Sequence, residues 1–138
     1  MQVQAYLSFE GRCEEALEFY RRAVGAEVTA LMRFKEMPEP APPGMMPPGS
    51  ENKVLHCSFR IGDTELMASD GGCGGAAGFQ GISLTLSTPS DTETTRLFNA
   101  LADGGSVQMP LAKTFFASNF GTLTDRFGVT WMVITAAG

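Results

Sequence analysis

Two short stretches of the chain repeat one pattern. RIGDTEL at residues 60–66 and RFGVTWM at 126–132 carry Arg, Gly and Thr at the same relative positions. The surrounding sequence corresponds as well, since GAEV at 25–28 matches GGSV at 104–107. We interpret the chain as an internal duplication with a period of about 70 residues. A fold for these 138 residues must therefore be built from two similar halves.

The first half is predicted to fold as β-α-β-β-β. Apolar residues recur on one face of the segment Arg12–Val24, which indicates an amphipathic helix that ends at Gly25. The helix is preceded by the alternating segment QVQAYLSF and followed by three strand-like segments, EVTALMRF, KVLHCSFRIG and TELMAS.

The second half repeats this order. GISLTLS alternates like a strand, and Ser90 with Glu93 forms a capping box that predicts the start of a helix. Gly104 and Gly105 end this helix. Three more predicted strands lie in SVQMPLAKTFFA, FGTLTDRFG and VTWMVITA.

The two copies are expected to pack side by side as one domain. One helix on one small sheet is too little to close a core alone, so each copy needs the other. The predicted fold class is α+β, with two tandem β-α-β-β-β modules that form a curved mixed sheet around a cleft. Module 1 covers residues 1–70, a Gly-rich joint covers 71–80, and module 2 covers 81–138.

The charge and apolar pattern exclude several classes of partner. A net charge of −5 and the lack of any Lys- and Arg-rich run argue against nucleic acid. No run of about 18 apolar residues is present, so we expect no membrane span. The N-terminal segment MQVQAYLSFEG lacks the pattern of a secretory leader, which predicts a cytoplasmic protein.

The three cysteines are predicted to be reduced thiols. Cys13, Cys57 and Cys73 form no CxxC pair, and their odd number argues against a disulfide framework. Cys13 is predicted in the first helical turn beside Arg12, where the helix dipole and a positive charge would favour a thiolate. Neither Cys13 nor Cys73 has a histidine near it in sequence, which favours an incidental role.

Three long segments resemble the PhnB-like family of the vicinal oxygen chelate superfamily, which includes glyoxalase I, extradiol dioxygenases and the bleomycin and fosfomycin resistance proteins. The segments, which span nearly the whole chain, are YLSFEGRCEEALEFYRRAVGAE, HCSFRIGDTELMASD and MPLAKTFFASNFGTLTDRFGVTWM. The resemblance implies paired modules and a homodimer. Some proteins of this family carry a methyltransferase label, but the sequence lacks the Gly-rich strand-to-helix turn of a Rossmann-type site.

The resemblance also implies where a metal would bind. In the metal-dependent enzymes of the superfamily, each module supplies one ligand from its first strand and one from its last, drawn from His, Gln and Glu. Matching the two halves places these positions at Gln4, Gly81, Leu66 and Met132. Three of the four cannot bind a divalent ion, so we predict no metal and no cofactor. A slip of one residue would bring Glu65 to a ligand position, but it would also invert which side chains of that strand face the cleft.

Strand alternation predicts which side chains face the cleft. Each helix covers the apolar face of its sheet, which leaves the opposite side chains for a ligand. Ser83, Thr85, Thr122 and Thr124 would supply hydroxyl groups, with an apolar floor from Leu66 and Met132. The candidate ligand-binding residues are Gln4, Tyr6, His56, Ser58, Arg60, Phe116 and Met132.

This cleft suits a small, partly apolar molecule that carries an anionic or hydrogen-bonding group. The first hypothesis is a metal-independent module that binds such a molecule. The alternative is a vicinal oxygen chelate enzyme, either a metal-assisted lyase, isomerase or dioxygenase, or one in which His56 is a general base and Arg60 holds the substrate's anionic group. A third possibility is an interaction protein whose cleft is filled by protein side chains.

Other segments allow two interpretations each. The aromatic residues Phe115, Phe116, Phe120 and Trp131 form either a wall for a ligand or part of the core. Asp125 is either a functional carboxylate or a turn residue that bonds its own backbone. The Pro-Met loop at residues 37–52, with Met45 and Met46, is either a lid or disordered.

Overall fold

The computed structural model describes residues 1–37, 49–71 and 78–136. The middle of the Pro-Met loop, with Met45 and Met46, lies outside the described residues, as does Cys73 in the Gly-rich joint. The chain divides into two compact units, Met1–Ala77 and Gly78–Gly138. The boundary between them falls within the predicted joint.

The first unit has the predicted β-α-β-β-β order. Its elements are β1 (Tyr6–Ser8), α1 (Cys13–Val24), β2 (Glu27–Arg33), β3 (Val54–Ile61) and β4 (Thr64–Ser69). The strands form one four-stranded sheet in the order β1-β4-β3-β2, in which β1 runs parallel to β4 and the other neighbours are antiparallel. A 3₁₀ turn follows β2 at Phe34–Glu36.

Helix α1 covers one face of this sheet, with Tyr20 stacked on Phe59 at 6.3 Å between ring centroids. It ends at Gly25, whose φ of 71° lies in the left-handed region that favours glycine. Its first residue, Cys13, donates its backbone N–H to Oδ1 of Asp70 at 2.7 Å. Asp70 caps this helix from the end of β4, which local sequence patterns did not predict.

The second unit repeats the architecture. Its elements are β5 (Ser83–Thr88), α2 (Asp91–Ala102), β6 (Ser106–Ala112), β7 (Phe120–Thr124) and β8 (Thr130–Thr135). The strand order is β5-β8-β7-β6, again with the first and last strands of the unit paired in parallel. The two repeated modules of the predicted fold are therefore confirmed.

Helix α2 begins where the sequence predicts. The Ser90 side chain accepts a hydrogen bond from the Glu93 backbone N–H at 3.2 Å, which is the expected cap. The helix approaches β7 closely at Gly121, where an added Cβ would lie 2.7 Å from the Phe98 ring. This contact requires glycine, because a methyl group would displace the helix from the sheet.

The hairpins of the two units differ in length. In the first unit Ile61 pairs with Thr64, so residues 62 and 63 form the turn. In the second unit Thr124 pairs with Thr130, so the loop covers residues 125–129. The loops contain two and five residues. Because side chains alternate between the two faces of a strand, a difference of three residues, an odd number, reverses which residues face the helix. The side-chain alternation of β4 is therefore inverted relative to that of β8, although the sequences align without a gap.

This inversion makes one prediction wrong. Leu66 was expected to line the cleft, but it pairs with Phe59 on the face that α1 covers and is only 6% exposed. Glu65 and Met67 occupy the opposite face of β4, beside Arg60 and Ser58 respectively. The open side of the first sheet is consequently more polar than the sequence matching indicated.

The α+β class with two repeated modules and mixed sheets is confirmed. The arrangement of the two units as one domain around a cleft stays a prediction. No helix in the described part of the chain has the length and apolar character needed to cross a membrane.

Candidate functional site

The face of the first sheet opposite α1 carries most of the predicted ligand-binding residues. We call it the open face and define it by its side chains. Cys57 and Phe59, which alternate with them on β3, are fully buried beneath α1. The residues of the open face are Tyr6, His56, Ser58, Arg60, Glu65 and Met67.

Tyr6 and His56 form a hydrogen-bonded pair on the open face. The phenol oxygen of Tyr6 lies 3.2 Å from Nδ1 of His56, and the two rings are tilted with centroids 5.6 Å apart. Tyr6 is 48% exposed, so the pair belongs to the surface rather than the core. When Nδ1 carries no hydrogen, it accepts a hydrogen bond from the phenol O–H, and Nε2–H is then the donor of the neutral imidazole. The pair thus offers a polar group attached to two aromatic rings.

Apolar side chains flank this pair. Met67 pairs with Tyr6 across β1 and β4, and with Ser58 across β3 and β4. Met32 pairs with His56 across β2 and β3 and is 41% exposed. Methionine adapts its shape to apolar ligands. Met67 was not among the predicted ligand-binding residues, because the alternation predicted for β4 was the inverse of the observed one.

Arg60 is engaged by a carboxylate. Its Nη2 atom lies 2.6 Å from Oε2 of Glu27, its cross-strand neighbour on β2. Both side chains are exposed, so the pair contributes little to stability. Glu27 nevertheless neutralises the guanidinium, which reduces the attraction of this corner for an anionic ligand.

Gln4 and Glu65 lie together at the edge of the open face. The Gln4 Nε2 atom donates to Oε1 of Glu65 at 3.3 Å. Tyr6 pairs with Met67, and β1 and β4 run parallel. Gln4 lies two residues before Tyr6 and Glu65 two residues before Met67, so the two side chains are neighbours. The first unit therefore provides two of the residue types that the superfamily uses as metal ligands.

The second unit provides no such side chains at the corresponding positions. Ser83 pairs with Thr130 at the equivalent place in its sheet. Two residues before this pair, just ahead of each strand, lie Gly81 and Gly128, which have no side-chain donor. Within residues 1–37, 49–71 and 78–136, no three His, Cys, Asp or Glu side chains are grouped so as to hold a metal ion. The residues present do not fit the four-ligand site, since a catalytic metal needs at least three donors.

The uncovered face of the second sheet is rich in hydroxyl groups, as predicted. Met132 pairs with Thr85 on one side and Thr122 on the other, on the face opposite α2. Thr124 and Thr130 lie beside them, 3.4 Å apart between their hydroxyl oxygens. Met132 is thus placed on the predicted face of its own sheet.

The aromatic residues divide into two groups. Phe116 is 47% exposed and makes edge contacts with Phe115 and Phe120, each at 5.1 Å between centroids. Trp131 is buried, and its indole N–H donates to Oδ2 of Asp125 at 2.9 Å. The core interpretation holds for Trp131, whereas Phe115 and Phe116 lie on the surface of the unit.

Asp125 has the role of a turn residue. Its Oδ1 atom accepts the backbone N–H groups of Phe127 and Val129 at 2.8 and 3.1 Å. The carboxylate is 3% exposed and holds the loop that joins β7 to β8. Its oxygen atoms are occupied by protein donors, which favours the turn interpretation over a catalytic one.

A pocket lies beside the N-terminal half of α1, away from the open face. It is open and has a volume of about 460 Å³. Glu14, Glu15 and Glu18 line it, together with Lys53 and Asp70. This pocket contains none of the predicted ligand-binding residues.

The sequence matches a known family over nearly its full length. Residues 1–134 match the family model described as 3-demethylubiquinone-9 3-methyltransferase, which is the PhnB-like family. The chain belongs to this family. The resemblance stated from sequence is confirmed.

Two proteins of similar length are at least 37% identical to this member of the PhnB-like family. Protein YjdN of Escherichia coli K12 is 37% identical over 140 residues, covering 96% of this chain and 94% of its own. The crystal structure of protein PA1353 from Pseudomonas aeruginosa is 43% identical with a TM-score of 0.83, covering 98% of this chain and 97% of its own.

Further structures support the family and the fold. The PhnB protein from Bacillus cereus is 29% identical with a TM-score of 0.80, and the match covers 99% of this chain and all of that one. A glyoxylase/bleomycin resistance protein/dioxygenase domain from Frankia sp. EAN1pec has a TM-score of 0.65 at 14% identity, covering 99% of this chain and 95% of its own. The second likeness concerns the fold alone.

Proposed function

We propose that this protein binds a small organic molecule on the open face of the first unit without using a metal ion. The Tyr6–His56 pair carries this proposal. It is a polar group with exposed surface, on a sheet face that α1 does not cover. Ordinary core packing does not require such a pair.

The chemistry around the pair defines the class of ligand. Met67 and Met32 border the two rings, so an apolar or aromatic body is favoured beside them. The phenol and imidazole would bond a hydroxyl, carbonyl or amide group of the ligand. Because Glu27 already pairs with Arg60, a neutral hydrogen-bonding group is favoured over an anionic one.

The donor set supports a metal-independent mode. Gln4 and Glu65 supply two ligand-type side chains, and the matching positions of the second unit are Gly81 and Gly128. A fold can be inherited without its chemistry. Binding by hydrogen bonds and apolar contacts needs no further donors.

The family's description names a methyltransferase, and we do not extend that activity to this chain. A Rossmann-type cofactor site places a Gly-x-Gly-x-x-Gly turn between the first strand and its helix on a doubly wound parallel sheet. Here residues 9–12 join β1 to α1, with one glycine, Gly11. Both sheets are largely antiparallel.

Proton transfer at the same pair is a second candidate function. A histidine bonded to a tyrosine can exchange a proton with a substrate through Nε2 while the phenol holds Nδ1. This version requires that turnover be lost in a His56→Ala variant. Full turnover in that variant would exclude it.

The binding proposal is tested with three probes that share one apolar ring, namely phenol, benzamide and benzoate. Backbone amide shifts in ¹H–¹⁵N spectra are expected to move at Tyr6, His56 and Ser58, most with the neutral probes. Tyr6→Phe should weaken binding several-fold, whereas Arg96→Gln on the outer side of α2 should not. Shifts confined to other surfaces, or equal affinity in Tyr6→Phe, would contradict the proposal.

Two further properties are proposed from sequence and resemblance. The PhnB-like resemblance implies a homodimer, which light scattering on a size-exclusion column would test. The cysteine pattern favours a reducing compartment, so we propose a cytoplasmic location, which fractionation would test.

S-adenosylmethionine is a useful comparison probe for the methyltransferase activity that the family's description names. An increase of the melting temperature in its presence would favour that activity.

A further inference from the structure

Two cysteines meet inside the first unit. Cys13 is the first residue of α1 and Cys57 lies in the middle of β3. Their Sγ atoms are 3.8 Å apart, and both residues have no exposed surface. Both are free thiols. The pair is separated by 44 positions in sequence, which is why spacing alone gave no sign of it.

A buried carboxylate holds the two elements in this position. Oδ1 of Asp70 accepts the backbone N–H of Cys13 at 2.7 Å, and its Oδ2 accepts that of Val54 at 2.6 Å. Asp70 is 1% exposed. The start of α1 and the start of β3 are therefore bound to one group. Asp70 thus holds the backbones of α1 and β3 next to each other close to the two sulfur atoms.

We propose that Cys13 and Cys57 form a reversible disulfide when the protein reacts with a peroxide. A disulfide has an S–S bond of about 2.05 Å, so the sulfur atoms must approach each other by a little under 2 Å. Rotation about the side-chain bonds can supply part of such a movement. The helix and the strand would then be joined covalently at the interface that already holds them.

The reaction balances with a peroxide as the only oxidant. One thiol sulfur attacks a peroxide oxygen, the O–O bond breaks, and water leaves while a sulfenic acid forms. The second thiol attacks that sulfur, an S–S bond replaces the S–O bond, and a second water leaves. Two sulfurs are oxidised, and two oxygens of the peroxide are reduced to water.

The environment distinguishes the two sulfurs. The hydrogen bond to Cys57, together with burial, raises the pKa of Cys13. The same hydrogen bond lowers the pKa of Cys57; burial acts against this, and the backbone hydrogen bond with Ala68 adds to it. The sequence-based expectation of a thiolate at Cys13 is wrong, because Cys13 is buried and faces Cys57.

The test is a count of free thiols in the full chain. The reduced protein, unfolded and alkylated, should take up three alkyl groups, one for each cysteine. After hydrogen peroxide it should take up one, lose two hydrogen atoms in mass, and yield a cross-linked peptide that contains Cys13 and Cys57. Dithiothreitol should restore three. The oxidised form should also melt several degrees higher, since the cross-link shortens the free chain of the unfolded state.

A Cys73→Ser variant is the matched control, because it removes the thiol that lies outside the pair. It should form the same cross-link and leave no free thiol after oxidation. The proposal is overturned if all three thiols remain alkylatable, if the cross-link includes Cys73, or if both buried sulfurs gain oxygen instead of bonding to each other. These outcomes are read on the wild-type chain and on Cys73→Ser, so none depends on a variant that replaces a buried cysteine.

Discussion

The phenol oxygen of Tyr6 lies 3.2 Å from Nδ1 of His56, between the first and third strands of the first unit. This contact brings together two residues that are 50 positions apart in sequence. It depends on β4, which lies between β1 and β3 and pairs with both. The order of the strands, rather than any local motif, creates the polar pair of the open face.

Replacing Tyr6 by Phe should change the histidine without unfolding the protein. The phenol is exposed, so its loss should cost less than about 1 kcal/mol of unfolding free energy. The ¹⁵N shift of His56 Nδ1 should move, because this nitrogen loses its hydrogen-bond partner. His56 is the only histidine, so its ring signals need no assignment. Unchanged ring shifts would mean that the bond is not formed in solution.

Substitutions at two adjacent residues of β4 should have opposite outcomes. Leu66→Gln places an amide under α1 and should cost about 3 kcal/mol of unfolding free energy, measured by urea titration. Glu65→Gln keeps a polar side chain on the open face and should change the stability by no more than about 0.5 kcal/mol. Equal losses of unfolding free energy in the two variants, or no loss in Leu66→Gln, would contradict the inverted alternation of β4.

Removal of the Asp125 carboxylate should destabilise the protein strongly. Asp125→Ala leaves the N–H groups of Phe127, Val129 and Trp131 without this acceptor in a buried loop. We expect a loss of at least about 2 kcal/mol in urea unfolding. Asp103→Ala is the control, since that exposed carboxylate pairs with Arg126 at the surface. Its cost should stay under about 1 kcal/mol, and a larger cost than that of Asp125→Ala would refute the assignment.

The contribution of Glu14 to the free energy of unfolding should depend on pH. Its hydrogen bond with Arg33, opposed in part by burial, lowers the pKa of Glu14 below its ordinary 4.5. A carboxyl group whose folded-state pKa is depressed adds stability above its ordinary pKa and loses it as the pH falls through the lowered value. The stability gap between wild type and Glu14→Gln should therefore be present at neutral pH and close in acid.

The size of this gap should be small, under about 1 kcal/mol, because the Glu14 side chain is 64% exposed. Glu15→Gln is the neighbouring control. It removes an equal charge from a looser pair with Arg12, at 3.3 Å and largely exposed on both sides. Its cost at neutral pH should be smaller still. A gap for Glu14→Gln that widens in acid would be the opposite of the expected result.

Much of the fold could be predicted because its signals are local. The apolar spacing of α1, its end at Gly25 and the Ser90 cap of α2 all depend on residues a few positions apart. The alternation of β3 likewise placed His56, Ser58 and Arg60 opposite Cys57 and Phe59 correctly. Asp70 could not be predicted as the cap of α1, because Cys13, whose backbone N–H it accepts, is 57 positions away in the sequence.

The site was harder to predict than the fold. RIGDTEL and RFGVTWM both lie at a turn, and Gly62 and Gly128 each adopt positive φ there, as the shared glycine indicates. Matching the two segments failed at Leu66, because hairpin length is set by how the strands pair and not by the motif between them. The engagement of Arg60 by Glu27 was also missed, since cross-strand neighbours follow from register.

The buried position of Trp131 has a practical consequence for following the unfolding of this protein by fluorescence. The chain has one tryptophan, in the second unit, and two tyrosines, Tyr6 and Tyr20, in the first. Indole emission therefore reports on one half of the duplication and phenol absorbance on the other. A single sample carries two natural optical labels, and coincident transitions at both wavelengths would identify the halves as one cooperative folding unit.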